Sequence, residues 1–282
     1  MAIKEILVHL DTSPRSALRL KIAADIAAKH GAVLVGLHSY DMPTSEIFIG
    51  DPPMYFDAKQ VDDILERMRA TKDEECGKIR AVFEAEVAAH GVTGEWRQVE
   101  GFATDVLSLH GRYVDLVVVG QPAPDGDQAG VIDPALLMGS GRPLLVIPYA
   151  GSFPHVGQTV LIGWNATPEA ARAVAEAMPL LQCAARVIVV SINPQRGITA
   201  DGEKPADDLV RHLARHGIKA EGRQITAGGI SEGEALLSYA SDVGADLLVC
   251  GMYGHSRFRE MAFGGVTRSL LAAMTLPSFL AH

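Results

Sequence analysis

The chain has 282 residues, of which 48% are hydrophobic and 21% charged, and its formal net charge is −9 at pH 7. This length accommodates two domains of ordinary size, each with its own core. The acidic balance argues against general nucleic-acid binding, which needs a surplus of Lys and Arg over a broad face. No apolar run approaches the roughly 20 residues that a membrane-spanning helix needs.

The first apolar run, residues 1–8, has charged residues within it and lacks a small-residue cleavage site. It predicts a first β-strand rather than a signal peptide, and we expect a cytoplasmic protein. The cysteines are Cys76, Cys183 and Cys250, an odd number without C-x-x-C spacing. This pattern argues against a disulfide framework and a cysteine-rich zinc site, and we interpret all three as buried thiols.

The two halves of the chain form an internal repeat. Residues 10–14 correspond to residues 164–168 at an offset of 154, each with a polar residue, a Ser or Thr N-cap and a Pro at the first helical position. Residues 90–98 match residues 216–224 at an offset of 126, each a helix that ends at glycine before a new strand. The first half therefore holds 28 extra residues between its second strand and second helix.

Short apolar strands alternate with amphipathic helices in each half, in the order β-α-β-α-β-α-β-α-β. Residues 14–30 and 168–183 are typical of the helices. The pattern predicts an α/β protein of two tandem domains, each a five-stranded, mainly parallel, Rossmann-like sheet with helices on both faces. We place these domains at residues 1–150 and 156–282.

The 28 extra residues include a proline-rich loop, residues 41–56, which carries the apolar side chains of residues 47–49, Tyr55 and Phe56. A long amphipathic helix is predicted to follow, over about residues 57–89. The loop is either a docking surface or lid, or a cover for the first domain's own sheet. The second interpretation is the more usual one for apolar loop residues.

A glycine-rich segment follows the strand at residues 247–250. Gly251 and Gly254 let backbone approach a ligand, and Gly264 and Gly265 precede an apolar helix-forming stretch. The segment predicts a phosphate cradle, although glycines at one spacing also occur in ordinary strand-to-helix loops. In parallel sheets, ligands bind beyond the carboxyl ends of the strands at the switch in strand order, and Asn165 follows the first strand of the same half.

The motif Gly251-x2-Gly254-x9-Gly264, together with the repeat, resembles the nucleotide-binding signature of the universal stress protein family in its tandem form. The resemblance covers almost the whole chain and implies a cytoplasmic stress-response or regulatory protein that binds ATP, or else ADP or AMP, in its C-terminal domain. It also implies an intramolecular pseudo-dimer formed by the fifth strands, residues 143–148 and 277–281. The implied nucleotide-binding residues are Gly163, Trp164, Asn165, Ile192, Gly251, Tyr253, Gly254, Gly264, Gly265, Val266 and Thr267.

Two positions depart from the family pattern. Gly265 stands where the family typically has Ser or Thr, so one hydroxyl contact to phosphate is replaced by a backbone N–H. Asn165 stands where many members that bind ATP have Asp. An amide can hydrogen-bond ribose but brings no negative charge to a phosphate-bound Mg²⁺, so a requirement for Mg²⁺ is left open.

The first half keeps the acid, Asp11, but its loop after Gly120 is three residues shorter and has Ala123 in place of the second glycine. Prolines in this loop remove N–H donors, and nearby aspartates repel phosphate. We therefore predict that the first half does not bind ATP in the family manner and that each chain holds one nucleotide.

The chain shows no Ser-His-Asp order, metal-ligand cluster or Walker lysine motif, so we predict no catalytic residues and no conventional enzyme. Slow ATP hydrolysis by a bound water is compatible with the cradle, and a nucleotide-free interaction module of the same fold is the alternative. His9 and His38 end neighbouring strands near Asp11, where two separately hydrogen-bonded histidines are more usual than a metal site. His255 is equally suited to contact phosphate or to face solvent.

Overall fold

The structure, a computed structural model, describes residues 2–41, 58–122, 134–193, 205–252 and 270–282. The first half contains β1 (Glu5–His9), α1 (Ser16–His30), β2 (Val33–Tyr40), α2 (Ala58–His90), β3 (Gly94–Glu100), α3 (Ala103–Gly111), β4 (Leu116–Gly120), α4 (Pro134–Ser140) and β5 (Leu144–Ile147). The second half contains β6 (Thr159–Gly163), α5 (Pro168–Cys183), β7 (Arg186–Ile192), α6 (Pro205–Arg215), β8 (Ala220–Ile225), α7 (Glu232–Asp242), β9 (Leu247–Gly251) and β10 (Ser278–Ala281).

All ten strands join one sheet, in the order β3-β2-β1-β4-β5-β10-β9-β6-β7-β8. Every pairing within a half is parallel, whereas β5 and β10 pair antiparallel, with Phe279 opposite Leu145. The structure thus confirms the predicted α/β fold, and the fifth strands form the contact between the halves as expected.

Local signals in the sequence account for the helix starts in the second half. Thr167 caps α5 by accepting a hydrogen bond from the Ala170 N–H, and Pro168 occupies the first helical position. Ser231 and Glu234 form a reciprocal capping box at the start of α7. These caps satisfy N–H groups that a helix leaves unpaired in its first turn, and α5 begins at Pro168 as predicted. The corresponding prediction for the first half is wrong: α1 begins at Ser16, after Arg15, and has no side-chain cap from Ser13.

The core lies in two layers, one on each face of the sheet. Alternate residues of β1 supply both layers: Ile6 and Val8 pack in the cluster that contains α1 and α5 residues, and Leu7 packs with α3 residues. Strands buried on both faces are expected to be apolar along their whole length, as in β4, because no position along them meets solvent.

Helix α2 spans Ala58–His90, which confirms the long helix predicted for the insertion. It lies on β2 and β3, where two glycines make room for it: a Cβ at Gly36 would lie 2.7 Å from the ring of Phe83, and one at Gly94 would lie 2.7 Å from Val87. The predicted loop lies outside the described residues except for Asp41, so its docking, lid and covering roles stay predictions. No described helix has the length and apolar character that crossing a membrane requires.

The cysteines differ in burial. Cys76 and Cys250 are buried as expected, whereas Cys183 is exposed at the last residue of α5, so the prediction of three buried thiols is wrong for that residue.

Polar contacts reinforce the junction between the halves. The buried Gln121 side chain donates to the carbonyl of Leu271 at 2.8 Å, and its carbonyl oxygen accepts from the Tyr149 N–H at 3.2 Å. Arg15 donates to the carbonyls of Pro148 and Gly151, in the segment that connects β5 to β6. The two halves are therefore joined by side chains as well as by the shared sheet.

Replacing the buried ring at the β5–β10 junction tests this architecture. We expect Phe279→Ala to lower the free energy of unfolding by about 3–5 kcal/mol, because it removes a fully buried aromatic side chain and leaves a cavity. Urea denaturation measures the change. Val82→Ala, on the half-exposed face of α2, is the control and should cost well under that amount. A loss below about 1 kcal/mol for Phe279→Ala would contradict a packed junction.

Candidate functional site

The candidate site of the second half lies where the strand order switches between β6 and β9. The chain passes from β6 to β7 on one side, and β9 pairs with β6 on the other. Gly163 ends β6 in register with Val190 of β7 and Cys250 of β9, and the Trp164 N–H donates to the Val190 carbonyl at 2.8 Å. A crevice at such a switch point, outside the carboxyl ends of the strands, is where open α/β sheets bind ligands.

Asn165 holds the turn between β6 and α5. Its Oδ1 accepts from the Thr167 N–H at 3.3 Å and from the Thr167 hydroxyl at 2.9 Å, while Ala166 adopts a left-handed conformation with φ of 58°. Short polar side chains favour such turns because they hydrogen-bond their own backbone. Asn165 is exposed, and its Nδ2 donates to none of the described residues, so the amide is available to a ligand.

Gly251 is needed for the packing of α5 onto β9. A Cβ at this position would lie 2.5 Å from the carbonyl carbon of Glu169 and closer still to the Ala170 nitrogen. Both are backbone atoms of the first turn of α5, which cannot move aside as a flexible side chain can. The bare Cα of Gly251 therefore brings the start of α5 against the end of β9, in addition to any role in ligand binding.

Ser191, near the end of β7, is a further candidate binding residue that the sequence did not single out. Ile192 is partly buried beside Ile225 of β8, and the preceding Ser191 is buried with a hydroxyl that bonds none of the described residues. Burying an unpaired hydroxyl costs about 1–3 kcal/mol, so it invites a ligand or water partner. The detectable signal is a serine that ends the apolar run of residues 187–190.

The structure places four of the expected nucleotide-binding residues on two neighbouring strand ends: Gly163 ends β6, Trp164 and Asn165 follow it, and Gly251 ends β9. Ile192 ends β7 on the other side of β6. The remaining residues lie outside the described ranges and stay predictions: Tyr253, Gly254, Gly264, Gly265, Val266 and Thr267. His255 also lies outside them.

The corresponding crevice of the first half is occupied by a buried arginine. Arg19, on α1, is only 2% exposed; its Nε donates to the His9 carbonyl at 2.7 Å and its Nη2 donates to Oδ2 of Asp11 at 2.8 Å. A Cβ at Gly120 would collide with Nη1 of the same guanidinium. The arginine therefore spans the ends of β1 and β4, which form the switch point of this half.

The repeat shows how the two crevices differ. At the offset of 154, Asp11 corresponds to Asn165 and Arg19 corresponds to Ala173. Asp11 also accepts from the Ser13 N–H at 2.9 Å and from the Ser13 hydroxyl. The Asp11 carboxylate, which the sequence suggested as a retained acid, is thus hydrogen-bonded to Arg19 and Ser13. The sequence pattern did not reveal this pairing.

The two histidines of this region have separate partners. His38 donates from Nδ1 to the Leu10 carbonyl at 2.9 Å, and Nε2 of His9 lies 3.5 Å from the Ser39 hydroxyl. Within the described ranges, no three His, Cys, Asp or Glu side chains are grouped to hold a metal ion. The arrangement matches two separately hydrogen-bonded histidines.

Burial and charge set the protonation of this cluster. Burial and the neighbouring Arg19 guanidinium lower the pKa of His9 to about 4, although Asp11 acts in the opposite direction. Burial alone would raise the pKa of Asp11, but Arg19, His9 and the Ser13 hydrogen bonds outweigh it and hold that pKa below its ordinary value. At neutral pH the cluster therefore consists of a neutral imidazole beside a charged Arg–Asp pair.

Residues 157–281 match the model of the universal stress protein family. This match confirms, for the second half of the chain, the resemblance predicted from the sequence. Among solved structures, a universal stress protein from Archaeoglobus fulgidus DSM 4304 is 15% identical, covers 98% of this chain and 97% of its own, and gives a TM-score of 0.70. A functionally unknown protein from Pseudomonas aeruginosa PAO1 is 14% identical, covers 99% and 92%, and gives 0.59.

These two likenesses show the same fold over nearly the whole tandem chain. A universal stress protein solved in complex with cAMP is 21% identical and covers 53% of this chain and 100% of its own, with a TM-score of 0.36. A search of curated protein sequences gave no match.

Adding one methyl group at Gly251 tests the contact between β9 and α5. We expect Gly251→Ala to lower the free energy of unfolding by about 1–3 kcal/mol or more, because the new Cβ meets backbone that must shift. Gly77→Ala in α2 is the matched control: no atom lies within 4 Å of its Cβ position, so the change should stabilise the helix by about 0.5–1 kcal/mol. Thermal melting compares both, and a neutral Gly251→Ala would refute the contact.

The depressed pKa of His9 predicts a loss of stability in mild acid. His9 takes up a proton near pH 6.5 in the unfolded chain but only near pH 4 in the folded chain. The free energy of unfolding therefore keeps the full His9 contribution above pH 6.5 and loses it as the pH falls towards 4. The loss attributable to His9 is about 3 kcal/mol. The Asp11 contribution, also from a lowered pKa, is lost mainly below that window.

Urea denaturation at pH 7 and pH 4.5 measures this effect. We expect His9→Gln to reduce the stability difference between the two pH values by up to about 3 kcal/mol. The remainder comes from other groups, including His30 and His110, whose pKa values burial also lowers. His212→Gln, on the exposed face of α6, should retain the wild-type difference. Equal differences in the wild type and His9→Gln would show that His9 does not couple folding to pH.

Proposed function

We propose that this chain is a cytoplasmic universal stress protein, of a stress-response or regulatory kind, that binds one adenine nucleotide in its C-terminal domain. The expected nucleotide is ATP, or else ADP or AMP. The domains are those inferred from the repeat, residues 1–150 and 156–282. The observation that carries the proposal is an asymmetry between the two switch points of the sheet. Arg19 occupies the switch point of the first half, whereas the corresponding residue of the second half is Ala173.

The first-half crevice is unsuited to adenosine because its acid is already paired. An Asp that holds ribose must offer free acceptor oxygens, whereas Asp11 receives hydrogen bonds from Arg19 and Ser13. Releasing it would leave a buried guanidinium without its counter-ion, which costs about 3–5 kcal/mol in comparable cases. The described contacts therefore support a single site per chain.

The second-half crevice offers suitable groups, and no described side chain of opposite charge pairs with Asn165 as Arg19 pairs with Asp11. Asn165 presents a free amide for ribose hydroxyls, Ile192 supplies an apolar surface for a base, and the Ser191 hydroxyl lacks a described partner. Beyond Gly251, residues 254 and 264–267 supply the glycines, N–H groups and hydroxyl expected of a phosphate cradle at a helix start. Adenosine at the β6 and β7 ends and phosphates at the β9 end are the arrangement we propose.

In the described part of this site, the turn after β6 presents the amide of Asn165 rather than a carboxylate, and Glu169, in the first turn of α5, has one carboxylate oxygen buried without a described partner. Asn165 replaces the acidic residue that would help to hold a phosphate-bound Mg²⁺, so we expect nucleotide binding to survive chelation of Mg²⁺. We propose binding without efficient turnover. Slow hydrolysis by a bound water would appear as phosphate release above that of a variant that cannot bind.

Substitution of the second loop glycine tests the proposal. We expect Gly254→Val to reduce ATP uptake at least tenfold, because its side chain enters the space of the phosphate oxygens, with little change in circular dichroism or melting. Ala123→Val, at the corresponding position of the first half, is the matched control and should leave uptake unchanged. Isothermal titration should give one site per chain for the wild type and for the control.

The nucleotide itself is identified by mass spectrometry of material released when freshly purified protein is denatured. Two equivalent sites, or unaltered uptake in Gly254→Val, would overturn the assignment of a single C-terminal site. A protein that is purified empty and takes up no added ATP, ADP or AMP would instead support the interaction module.

A further inference from the structure

The outer surface of α3 carries an unusual row of exposed side chains, which we call the α3 stripe: Phe102, Asp105, Leu109, Arg112 and Tyr113. Its members recur at helical spacing, so they share one side of the helix and of the residues that flank it. The three apolar and aromatic members are 68%, 51% and 70% exposed. Met138, on the adjacent α4, is 64% exposed.

The second half provides a matched comparison for this surface. When the N-caps Phe102 and Ser231 are aligned, the stripe corresponds to positions on α7 and its end that are also exposed. Their residues are Ser231, Glu234, Ser238, Ser241 and Asp242. The same fold position is thus apolar or basic at four of five sites in the first half and wholly polar or acidic in the second. Exposure of the helix does not by itself account for the apolar residues.

We propose that the α3 stripe is a homodimer interface, in which two copies of this chain pack their α3 helices antiparallel about a two-fold axis. This contact is distinct from the β5–β10 pairing, which is made within one chain. The interface joins two tandem chains into an assembly of four domains.

The charges of the stripe are self-complementary under that symmetry. A two-fold axis makes residue i of one copy meet residue j of the other and residue j meet residue i. Asp105 lies in the first turn of α3 and Arg112 follows its last residue, so antiparallel helices bring the acid of each copy to the base of the other. The same crossing, centred near residue 108, brings Phe102 close to Tyr113 and places the two Leu109 side chains at the centre.

Arg112 is held ready for this contact by its own chain. Its Nε donates to the Gly139 carbonyl at 3.1 Å, while its terminal nitrogens donate to none of the described residues. Gly139 lies against α3, since a Cβ there would be 2.9 Å from the Ser108 hydroxyl. A guanidinium that is already oriented loses less side-chain freedom on binding and can still pair with a carboxylate through its two Nη groups.

The composition of the stripe suits a recognition surface better than a solvated helix. Phe, Tyr, Met and Arg are enriched in protein interfaces, and an aliphatic or aromatic centre with charges beside it is the usual layout. The net charge of −9 repels a second copy at long range, but this repulsion is screened beyond about 8 Å at physiological salt. Local pairing of Asp105 with Arg112 then decides the register.

Sedimentation velocity of the full chain from about 1 to 100 µM tests the proposal. We expect the wild type to shift from monomer to dimer as concentration rises and Leu109→Ser to weaken association about tenfold or more, because it removes the central apolar contact. Ser238→Ala, at the corresponding position of α7, is the matched control and should associate like the wild type. Circular dichroism checks that each variant is folded.

A charge exchange separates a second copy from any other partner. Asp105→Arg alone and Arg112→Asp alone should each weaken the dimer, because each sets like charges against each other across the axis. The double variant Asp105→Arg/Arg112→Asp should regain most of the association, since both partners change together. A wild type that remains monomeric throughout the concentration range would overturn the proposal, as would failure of the double variant to regain association.

Discussion

The antiparallel pairing of β5 with β10 is the contact on which the architecture depends. Each half ends its sheet with an apolar edge strand, and an unpaired edge would expose both backbone hydrogen-bonding groups and fully buried side chains such as Phe279. Joining the two edges buries them within one chain and creates a continuous sheet of ten strands. It also places two switch points in one chain, so the residues at one of them can change while the other and the fold are maintained.

The two switch points of the sheet differ in the side chains that occupy them. In the first half, a long basic side chain from α1 reaches the strand ends and neutralises Asp11; in the second, Ala173 occupies the corresponding helix position and Gly251 lets α5 lie directly on β9. A buried ion pair is costly to assemble and more costly to break, which keeps the first crevice committed to its internal arginine. The proposed nucleotide site therefore belongs to the half without this pair.

Divergence also extends to the outer helices. The α3 stripe and the polar surface of α7 occupy equivalent positions, yet one has Leu109 where the other has Ser238. Once the β5–β10 contact is formed within the chain, further association must use another surface. The α3 stripe is self-complementary, because a two-fold axis pairs its acidic end with its basic end. In this arrangement, one half would provide the nucleotide site and the other the contact with a second chain.

The sequence by itself determined the tandem α/β fold, the 168–183 helix and the long helix of the insertion, because hydrophobic periodicity, caps and the repeat are local signals. It also indicated which residues follow the strands β6 and β9. Only the tertiary structure revealed that Arg19 pairs with Asp11, that Gly251 faces the backbone of α5, and that the Ser191 hydroxyl is buried without a described partner. These contacts join residues that are distant along the chain, and nothing in the local pattern of a helix specifies which strand end its side chains will reach.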